Sequence, residues 1–170
     1  MIEVFADAEV IPETVKEIVE ALFPGLLLFE WDPYGTNGGK IDPIGFNEND
    51  ATHVLYDIYK QERAEFQWRI SLYRVGEIIG QEIYRSKREQ LVARALSVKN
   101  QIRTMVAYQL PEKPKYPYSM LVYINGNCYL ADDALFDYTG EENSEEIIKI
   151  LRPHSLPVNI FDSFGCVEQL

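Results

Sequence analysis

The clearest periodic pattern in the first third of the chain predicts an amphipathic helix that begins at Pro12 and ends before Pro24-Gly25. Proline suits the first helical position, where its missing N–H breaks no hydrogen bond. Apolar residues then recur at the spacing of one helix face, at Val15, Ile18, Val19, Leu22 and Phe23. The short apolar runs on either side of this helix, residues 3–10 and 26–31, are typical of buried strands.

Two interpretations are open for residues 51–65. The apolar positions of this segment match one helix face, but the run 54–59 is rich in β-branched and aromatic residues and also suits the first arm of a hairpin. We favour the strand. The next segment is clearer because apolar and polar residues alternate strictly, which predicts a half-buried strand. Its apolar positions are Phe66, Trp68, Ile70 and Leu72.

A long central helix is predicted for residues 77–109, which contain good helix formers and no proline. Two apolar stripes in this segment are separated by the polar residues 85–90. An unbroken helix of this length would measure about 48 Å, which exceeds the width of a domain of this size. We therefore expect a kink near Ser86 or a protruding middle.

The strongest local signal is the dipeptide Asn125-Gly126, which predicts a hairpin between strands at residues 120–124 and 128–131. Asparagine and glycine tolerate the positive φ angles that a type I′ turn requires. An acidic loop follows at residues 139–146, and Ser144 suits the N-cap of a helix over residues 145–151. Residues 158–161 are expected to form a last short strand.

These elements predict an α+β fold in which an antiparallel, partly mixed sheet packs against an N-terminal helix and the central helix. The chain has 170 residues, of which 46% are hydrophobic and 25% charged. This length is typical of one domain, and the composition is sufficient for a hydrophobic core. Because no repeat or linker divides the chain, we expect a single domain over residues 1–170.

Charge is distributed unevenly along the chain, whose net charge is −11. Residues 1–59 carry −10, residues 60–103 carry +5 and residues 104–170 carry −6. The acidic total repels phosphate backbones, so binding to nucleic acid is disfavoured. We expect the basic middle segment to pair with the acidic ends of the same chain or of a second subunit. Its cations from residue 85 onward are Arg85, Lys87, Arg88, Arg94, Lys99 and Arg103.

Several absent features predict a cytoplasmic protein that does not contact a membrane. The first residues lack the basic start and the apolar stretch of a signal peptide, and the apolar run 26–29 is too short to cross a bilayer. Cys128 and Cys166 show no metal-binding or redox spacing. Cys128 lies in a strand-like run, which is typical of a buried free thiol.

Motifs for catalysis, metals and cofactors are missing from the sequence. The two histidines, His53 and His154, have no HxxxH or HExxH spacing, and His154 follows the end of a predicted helix, where histidines cap carbonyl groups. The glycine-rich segment 35–40 lacks the first glycine and the hydroxyl residue of a phosphate-binding loop. We therefore expect no catalytic residue, no metal and no cofactor, and we favour a protein that is not an enzyme.

Acidic residues and tyrosines are concentrated after residue 117, and we predict that they form a binding surface for a basic protein partner. Tyrosine buries a large area at a low entropic cost, and carboxylates accelerate association with a positively charged partner. The function predicted on this basis is a non-enzymatic protein-binding module, in its sharpest form an inhibitor or immunity-type protein that covers a nuclease toxin. The predicted site residues are Tyr129, Asp132, Asp133, Asp137, Tyr138, Glu141 and Glu142, and Tyr118 also flanks these acids.

Two alternative functions remain open. The long loop 32–50 suits an enzyme or a small-ligand binder that uses carboxylates, with Asp32, Asp42 and Asp132 as candidates. Alternatively, the chain is a structural subunit that forms a homo-oligomer through its central helix.

Overall fold

Eight strands and two α-helices make up the part of the chain that the computed structural model describes, residues 1–32, 42–62, 65–74, 81–134, 148–157 and 159–167. The α+β class predicted from the sequence is confirmed. In chain order the elements are β1 (Ile2–Ala6), α1 (Pro12–Leu22), β2 (Leu27–Glu30), β3 (His53–Lys60), β4 (Trp68–Arg74), a 3-10 helix (Glu82–Tyr84), α2 (Arg85–Asn100), β5 (Arg103–Ala107), β6 (Ser119–Ile124), β7 (Asn127–Asp132) and β8 (Lys149–Pro153).

The strands form one mixed sheet in the order β2-β3-β4-β1-β5-β6-β7-β8. β2 runs parallel to β3, and the other neighbouring pairs are antiparallel, as the sequence predicted. β1 lies near the middle of the sheet. It pairs with β4 along its whole length and with β5 at Phe5 and Ala6, so the first strand of the chain joins the two halves of the sheet.

One face of the sheet packs against both helices and contains the larger hydrophobic core. The fully buried side chains of Val4 and Ala6 lie on this face of β1. α1 contributes three buried residues (Val15, Ile18 and Val19), and α2 contributes three more (Val92, Ala93 and Leu96). The opposite face, which we call the far face, holds a smaller apolar cluster. Its buried members are Phe66, Met105, Met120, Val122, Ala131 and Ile148.

The first helix and the positions of the strands beside it agree with the sequence prediction, but β1 ends at Ala6 and β2, predicted as buried, is an edge strand whose Leu27 is 52% exposed. Pro12 occupies the first turn of α1, and the backbone N–H of Phe23 donates to the carbonyl of Val19 where the helix ends. The ambiguous segment after residue 50 forms β3, so the favoured strand is confirmed and the alternative helix is wrong. Within the residues described, neither helix combines the length and the apolar character that a membrane span requires.

The predicted central helix over residues 77–109 is wrong at its C-terminal end. α2 stops at Asn100, Gln101 adopts a left-handed conformation with φ 54°, and the chain then enters β5. The reason is a contact distant in sequence: both carboxylate oxygens of Asp7 accept hydrogen bonds from Arg103, one from its backbone N–H and one from Nε. β1 and β6 then hold β5 on its two sides. Residues 77–80 of the prediction lie outside the described residues.

The helix predicted for residues 145–151 is also wrong where it can be compared, because residues 149–151 belong to β8. β8 pairs antiparallel with β7, so these residues belong to the sheet. Ser144, the predicted N-cap, lies outside the described residues. Of the short strand predicted for residues 158–161, the described residues 159–161 form only an isolated bridge, between Phe161 and Val167, and residue 158 lies outside the described residues.

β8 forms one edge of the sheet, and all five of its residues are exposed. It begins with Lys149, carries Arg152 and ends at Pro153. Its pairing with β7 shifts register between Leu130 and Ala131, as in a β-bulge.

The predicted hairpin is confirmed, with β6 and β7 joined by a two-residue turn. Asn125 and Gly126 both have positive φ angles, 48° and 79°, as a type I′ turn requires. The turn is anchored on α2, because the backbone N–H of Gly126 donates to the hydroxyl of Ser97 at 2.9 Å.

Replacing Gly126 tests how strongly this turn depends on glycine. A β-carbon at Gly126 would lie 2.7 Å from Cγ2 of Val98, and the positive φ is unfavourable for alanine. We expect Gly126→Ala to lower the free energy of unfolding by about 1–2 kcal/mol, measured by urea denaturation. The double variant Gly126→Ala/Val98→Ala should recover only the part of the lost stability that comes from the clash with Val98. Asn125→Gly is the control for a change in the composition of the turn. Equal stability of Gly126→Ala and the wild type would contradict this account.

A buried carboxylate lies at the first turns of α2. The side chain of Glu89 accepts a hydrogen bond from the backbone N–H of Glu3 in β1, and it lies 3.3 Å from Nε of Arg85. Burial raises the pKa of Glu89 from 4.5 to about 7, and the charges of Arg85 and Arg88 only partly oppose this increase. The folded protein therefore holds a proton on Glu89 at pH values where the unfolded chain has released it.

The pKa of Glu89 predicts how stability depends on pH. Since its pKa is higher in the folded state, its contribution is fully present below pH 4.5 and is lost as pH rises through 7. In Glu89→Gln, whose amide stays neutral, we expect this loss to disappear, so the variant should gain roughly 3 kcal/mol relative to wild type between pH 4.5 and pH 8. Denaturation at several pH values measures the difference, and Glu9→Gln at an exposed position controls for the lost charge. If the free energy of unfolding of Glu89→Gln and of wild type changed with pH in parallel, the raised pKa of Glu89 would be contradicted.

Candidate functional site

The structure describes three of the seven site residues predicted from the sequence. Asp132 is the last residue of β7, Asp133 follows it, and Tyr129 lies within the strand. The other four, Asp137, Tyr138, Glu141 and Glu142, lie outside the described residues.

Tyr129 does not lie beside Asp132. Successive side chains of a strand point to opposite faces of the sheet, so residues 129 and 132 of β7 project to different sides. Tyr129 pairs with Val122, which belongs to the far-face cluster, whereas Asp132 pairs with Ser119. The structure therefore separates these two predicted site residues.

Two exposed tyrosines meet the aspartates at the end of β7. The hydroxyl of Tyr116 donates a hydrogen bond of 2.6 Å to Oδ2 of Asp132. The rings of Tyr116 and Tyr118 are edge to face, with centroids 5.4 Å apart, and the two side chains are 36% and 44% exposed. The backbone N–H of Asp133 donates to the carbonyl of Tyr118. We call these four residues the tyrosine–aspartate patch.

The electrostatics of the patch are dominated by its carboxylates. The hydrogen bond to Asp132, with smaller contributions from the charges of Asp132 and Asp133, raises the pKa of Tyr116 from 10.0 to about 12. The ammonium group of Lys113 lies over the ring of Tyr116, 6.0 Å from its centroid. The patch therefore combines negative charge with an aromatic face on which a cation is already placed.

Tyr116 was missed by the sequence prediction, although the hairpin turn contains the information needed to find it. The ladder runs from Ile124↔Asn127 to Ser119↔Asp132, so one further step places Tyr118 opposite Asp133. Tyr116 comes two residues earlier. The register set by Asn125-Gly126 thus brings both tyrosines to the end of β7.

Only part of the basic middle segment pairs with the acidic N-terminal end of the chain, as the sequence predicted for all of it. Arg103 contacts Asp7 at 2.8 Å, and Lys99 contacts Glu17 of α1. Arg88 is buried, and its guanidinium donates to the carbonyls of Gly165 and Gln81. These three cations therefore hold the fold together.

A second concave feature lies at the other end of the β6–β7 hairpin. This open cavity of about 320 Å³ is lined by α2, by the hairpin turn and by the segment after β8. Two cations of α2, Lys87 and Arg94, line it, and we call it the cationic cleft. Its other polar and ionisable lining residues are Gln90, Tyr123, Asn127, Cys128, His154, Ser155 and Asn159.

The ionisable groups of the cationic cleft are not activated for catalysis. Burial raises the pKa of the Cys128 thiol, which keeps it protonated at neutral pH. Burial and the nearby charge of Arg152 lower the pKa of His154. His154 follows β8 instead of the predicted helix, and its Nε2 lies 3.2 Å from the hydroxyl of Tyr108. The cleft therefore offers neutral polar groups between two cations.

The described part of the loop 32–50 is held by a structural histidine. The ring of the buried His53 lies beside the rings of Phe29 and Phe46, and its Nδ1 accepts a hydrogen bond from the backbone N–H of Asn47. Residues 33–41 lie outside the described residues. The cationic cleft contains none of Asp32, Asp42 and Asp132, the candidates of the ligand-binding alternative.

The far face buries one carboxylate that the sequence did not single out. Asp57 of β3 accepts a hydrogen bond of 3.1 Å from the hydroxyl of Tyr73, and it pairs across the ladder with the fully buried Ser71. Burial raises the pKa of Asp57, and the two hydroxyl groups oppose that increase. The cluster connects β3 to β4.

Neither metal ligation nor similarity assigns a function to these sites. Among the described residues, no three His, Cys, Asp or Glu side chains are grouped as metal ligands. Comparison of the chain with protein-family models, with curated proteins and with solved structures gave no match.

Removing the carboxylate of Asp132 tests the geometry of the tyrosine–aspartate patch. In Asp132→Asn we expect the pKa of Tyr116 to fall from about 12 toward 10.0, because the main cause of its increase is lost. Titration of tyrosinate absorbance measures the change. Subtracting the curve of Tyr116→Phe from that of wild type, and the curve of Tyr116→Phe/Asp132→Asn from that of Asp132→Asn, isolates the signal of the Tyr116 ring. An unchanged titration would show that the hydrogen bond does not form in solution.

Proposed function

We propose that the protein is a non-enzymatic protein-binding module that uses the tyrosine–aspartate patch to hold a basic partner. The observation that carries this proposal is the hydrogen-bonded pair of Tyr116 and Asp132, with Tyr118 packed against it. The sharpest form of the proposal is an inhibitor or immunity-type protein that covers a positively charged partner such as a nuclease toxin. Such a function requires no catalytic group of its own.

The chemistry of the patch suits an arginine or lysine of the partner. Such a side chain would stack on an exposed tyrosine ring while its charged end contacts a carboxylate. Lys113 already occupies a comparable position over Tyr116, and an arginine from the partner would compete with it. The negative charge of residues 104–170 would increase the rate of association, and the rings would slow dissociation.

The proposal places the protein in the cytoplasm. The two cysteines, Cys128 and Cys166, are free, which is consistent with a reducing compartment.

Self-association through α2 is the second candidate, and an apolar groove favours it. Ala21, Leu22, Ala95 and Val98 line a groove between α1 and α2, and Val98 is 56% exposed. A second copy of the chain could cover these residues. The molar mass of the free protein at micromolar concentration, measured by light scattering, decides between a monomer and this homo-oligomer.

A salt-dependent capture experiment tests the proposed function. Immobilised protein is incubated with native lysate at low and high salt, and retained proteins are identified and then purified for measurement of affinity. We expect a basic partner that is retained at low salt. The double variant Tyr118→Ser/Asp133→Asn should weaken its binding about tenfold or more, because an aromatic anchor and a carboxylate are both lost.

The matched control for the lost charge is Glu48→Gln, which removes one exposed acid outside the patch. If the control weakens binding as much as the patch variant does, the net charge and not the patch attracts the partner. If no basic protein is retained at low salt, the proposed function is wrong.

A further inference from the structure

We propose that the cationic cleft binds a small, elongated organic anion with an acidic group, carboxylate or phosphate, at each end. This site is distinct from the tyrosine–aspartate patch. The cleft includes the turn end of the β6–β7 hairpin, and the patch lies at the other end, roughly 20 Å away for strands of this length. Binding in the cleft therefore does not depend on the proposed function.

The first observation is the arrangement of the two cations. Lys87 and Arg94 are seven positions apart on α2, so both lie on one helix face, roughly 10 Å apart along its axis. Within the described part of the chain, neither has a carboxylate partner, whereas Arg103 and Lys99 are paired. Two cations at this separation favour a ligand with two anionic groups over a single compact anion.

The second observation is a glutamine side chain between the two cations. Gln90 is 7% exposed and lines the cleft. Its amide makes no hydrogen bond with another residue that the structure describes, and neither amide atom is fully buried, so the amide is available to a molecule in the cleft. The middle of the ligand would therefore contain a polar group within reach of Gln90.

The third observation is the composition of the remaining walls. Leu91, Leu156, Pro157 and Phe161 provide apolar contact, and Asn127, Ser155 and Asn159 provide further neutral hydrogen-bonding groups. A volume of about 320 Å³ is at the lower end of the range for small-molecule sites. Apolar walls beside two cations spaced along α2 match an organic dianion with a short carbon chain.

Calorimetric titration of the full chain with two series of anions tests the proposal. The first series is the unbranched dicarboxylates from malonate to sebacate, and the second is the alkane bisphosphonates of matching length. We expect affinity to increase with length and to reach a maximum at an intermediate or long member. Comparison of the two series shows whether carboxylate or phosphate is the preferred group.

Variants of the lining residues locate the binding site. Lys87→Gln and Arg94→Gln should each weaken the best ligand about tenfold or more, since each removes a charge-assisted hydrogen bond. Gln90→Met should weaken binding without lowering the melting temperature of the free protein, because the free amide has no partner to lose. Lys60→Gln, at an exposed position in the other half of the sheet, should bind as wild type does.

Cys128 provides an independent readout inside the cleft. The best ligand should slow the alkylation of Cys128 by iodoacetamide and leave the alkylation rate of Cys166 unchanged. Mass spectrometry measures both rates. The proposal is overturned if no member of either series binds, if affinity is independent of length, or if the three cleft variants bind as wild type does. Failure of these tests leaves the capture experiment on the tyrosine–aspartate patch unaffected.

Discussion

The fold depends on β1 and its pairing with two partners that are distant in sequence. Its fully buried residues Val4 and Ala6 fix one face against the helices, while its backbone joins β4 to β5. Two side-chain contacts extend this role: Glu89 of α2 accepts the N–H of Glu3, and Asp7 binds the first residue of β5. Without β1, the strands β2 to β4 and β5 to β8 would form two separate small sheets. The order of the whole sheet follows from this constraint.

The hairpin β6–β7 connects the fold to both candidate sites. Its turn rests on Ser97 of α2 and forms part of the cationic cleft, and its open end carries the tyrosine–aspartate patch. The two sites are opposite in charge, although the chain as a whole is acidic. The cleft keeps its positive character because Lys87 and Arg94 have no described carboxylate partner, unlike their neighbours on α2. One hairpin therefore contributes to two surfaces that suit ligands of opposite charge.

Local sequence signals predicted those elements that local chemistry determines. Pro12 begins α1, and Asn125-Gly126 closes the hairpin, because each depends on backbone preferences of the residues themselves. The segment after Gln101 was predicted as helix because its apolar residues also fit helical spacing. It is a strand because Asp7 and β1 bind it, and no short window of sequence contains that contact. The cleft was missed for the same reason, since His154 and α2 meet only in the folded chain.

The exposed edge strand β8 has a consequence for how this molecule meets other proteins. Open edges invite strands from other chains to join a sheet, but a lysine, an arginine, a terminal proline and a bulge all disfavour such addition. Proline at the end of β8 offers no N–H to an incoming backbone. A strand of another protein therefore cannot readily add to the sheet at β8 through main-chain hydrogen bonds. Fibril growth by edge-to-edge pairing of sheets is disfavoured there for the same reason. At this edge, recognition depends on side chains, which is where sequence specificity is encoded.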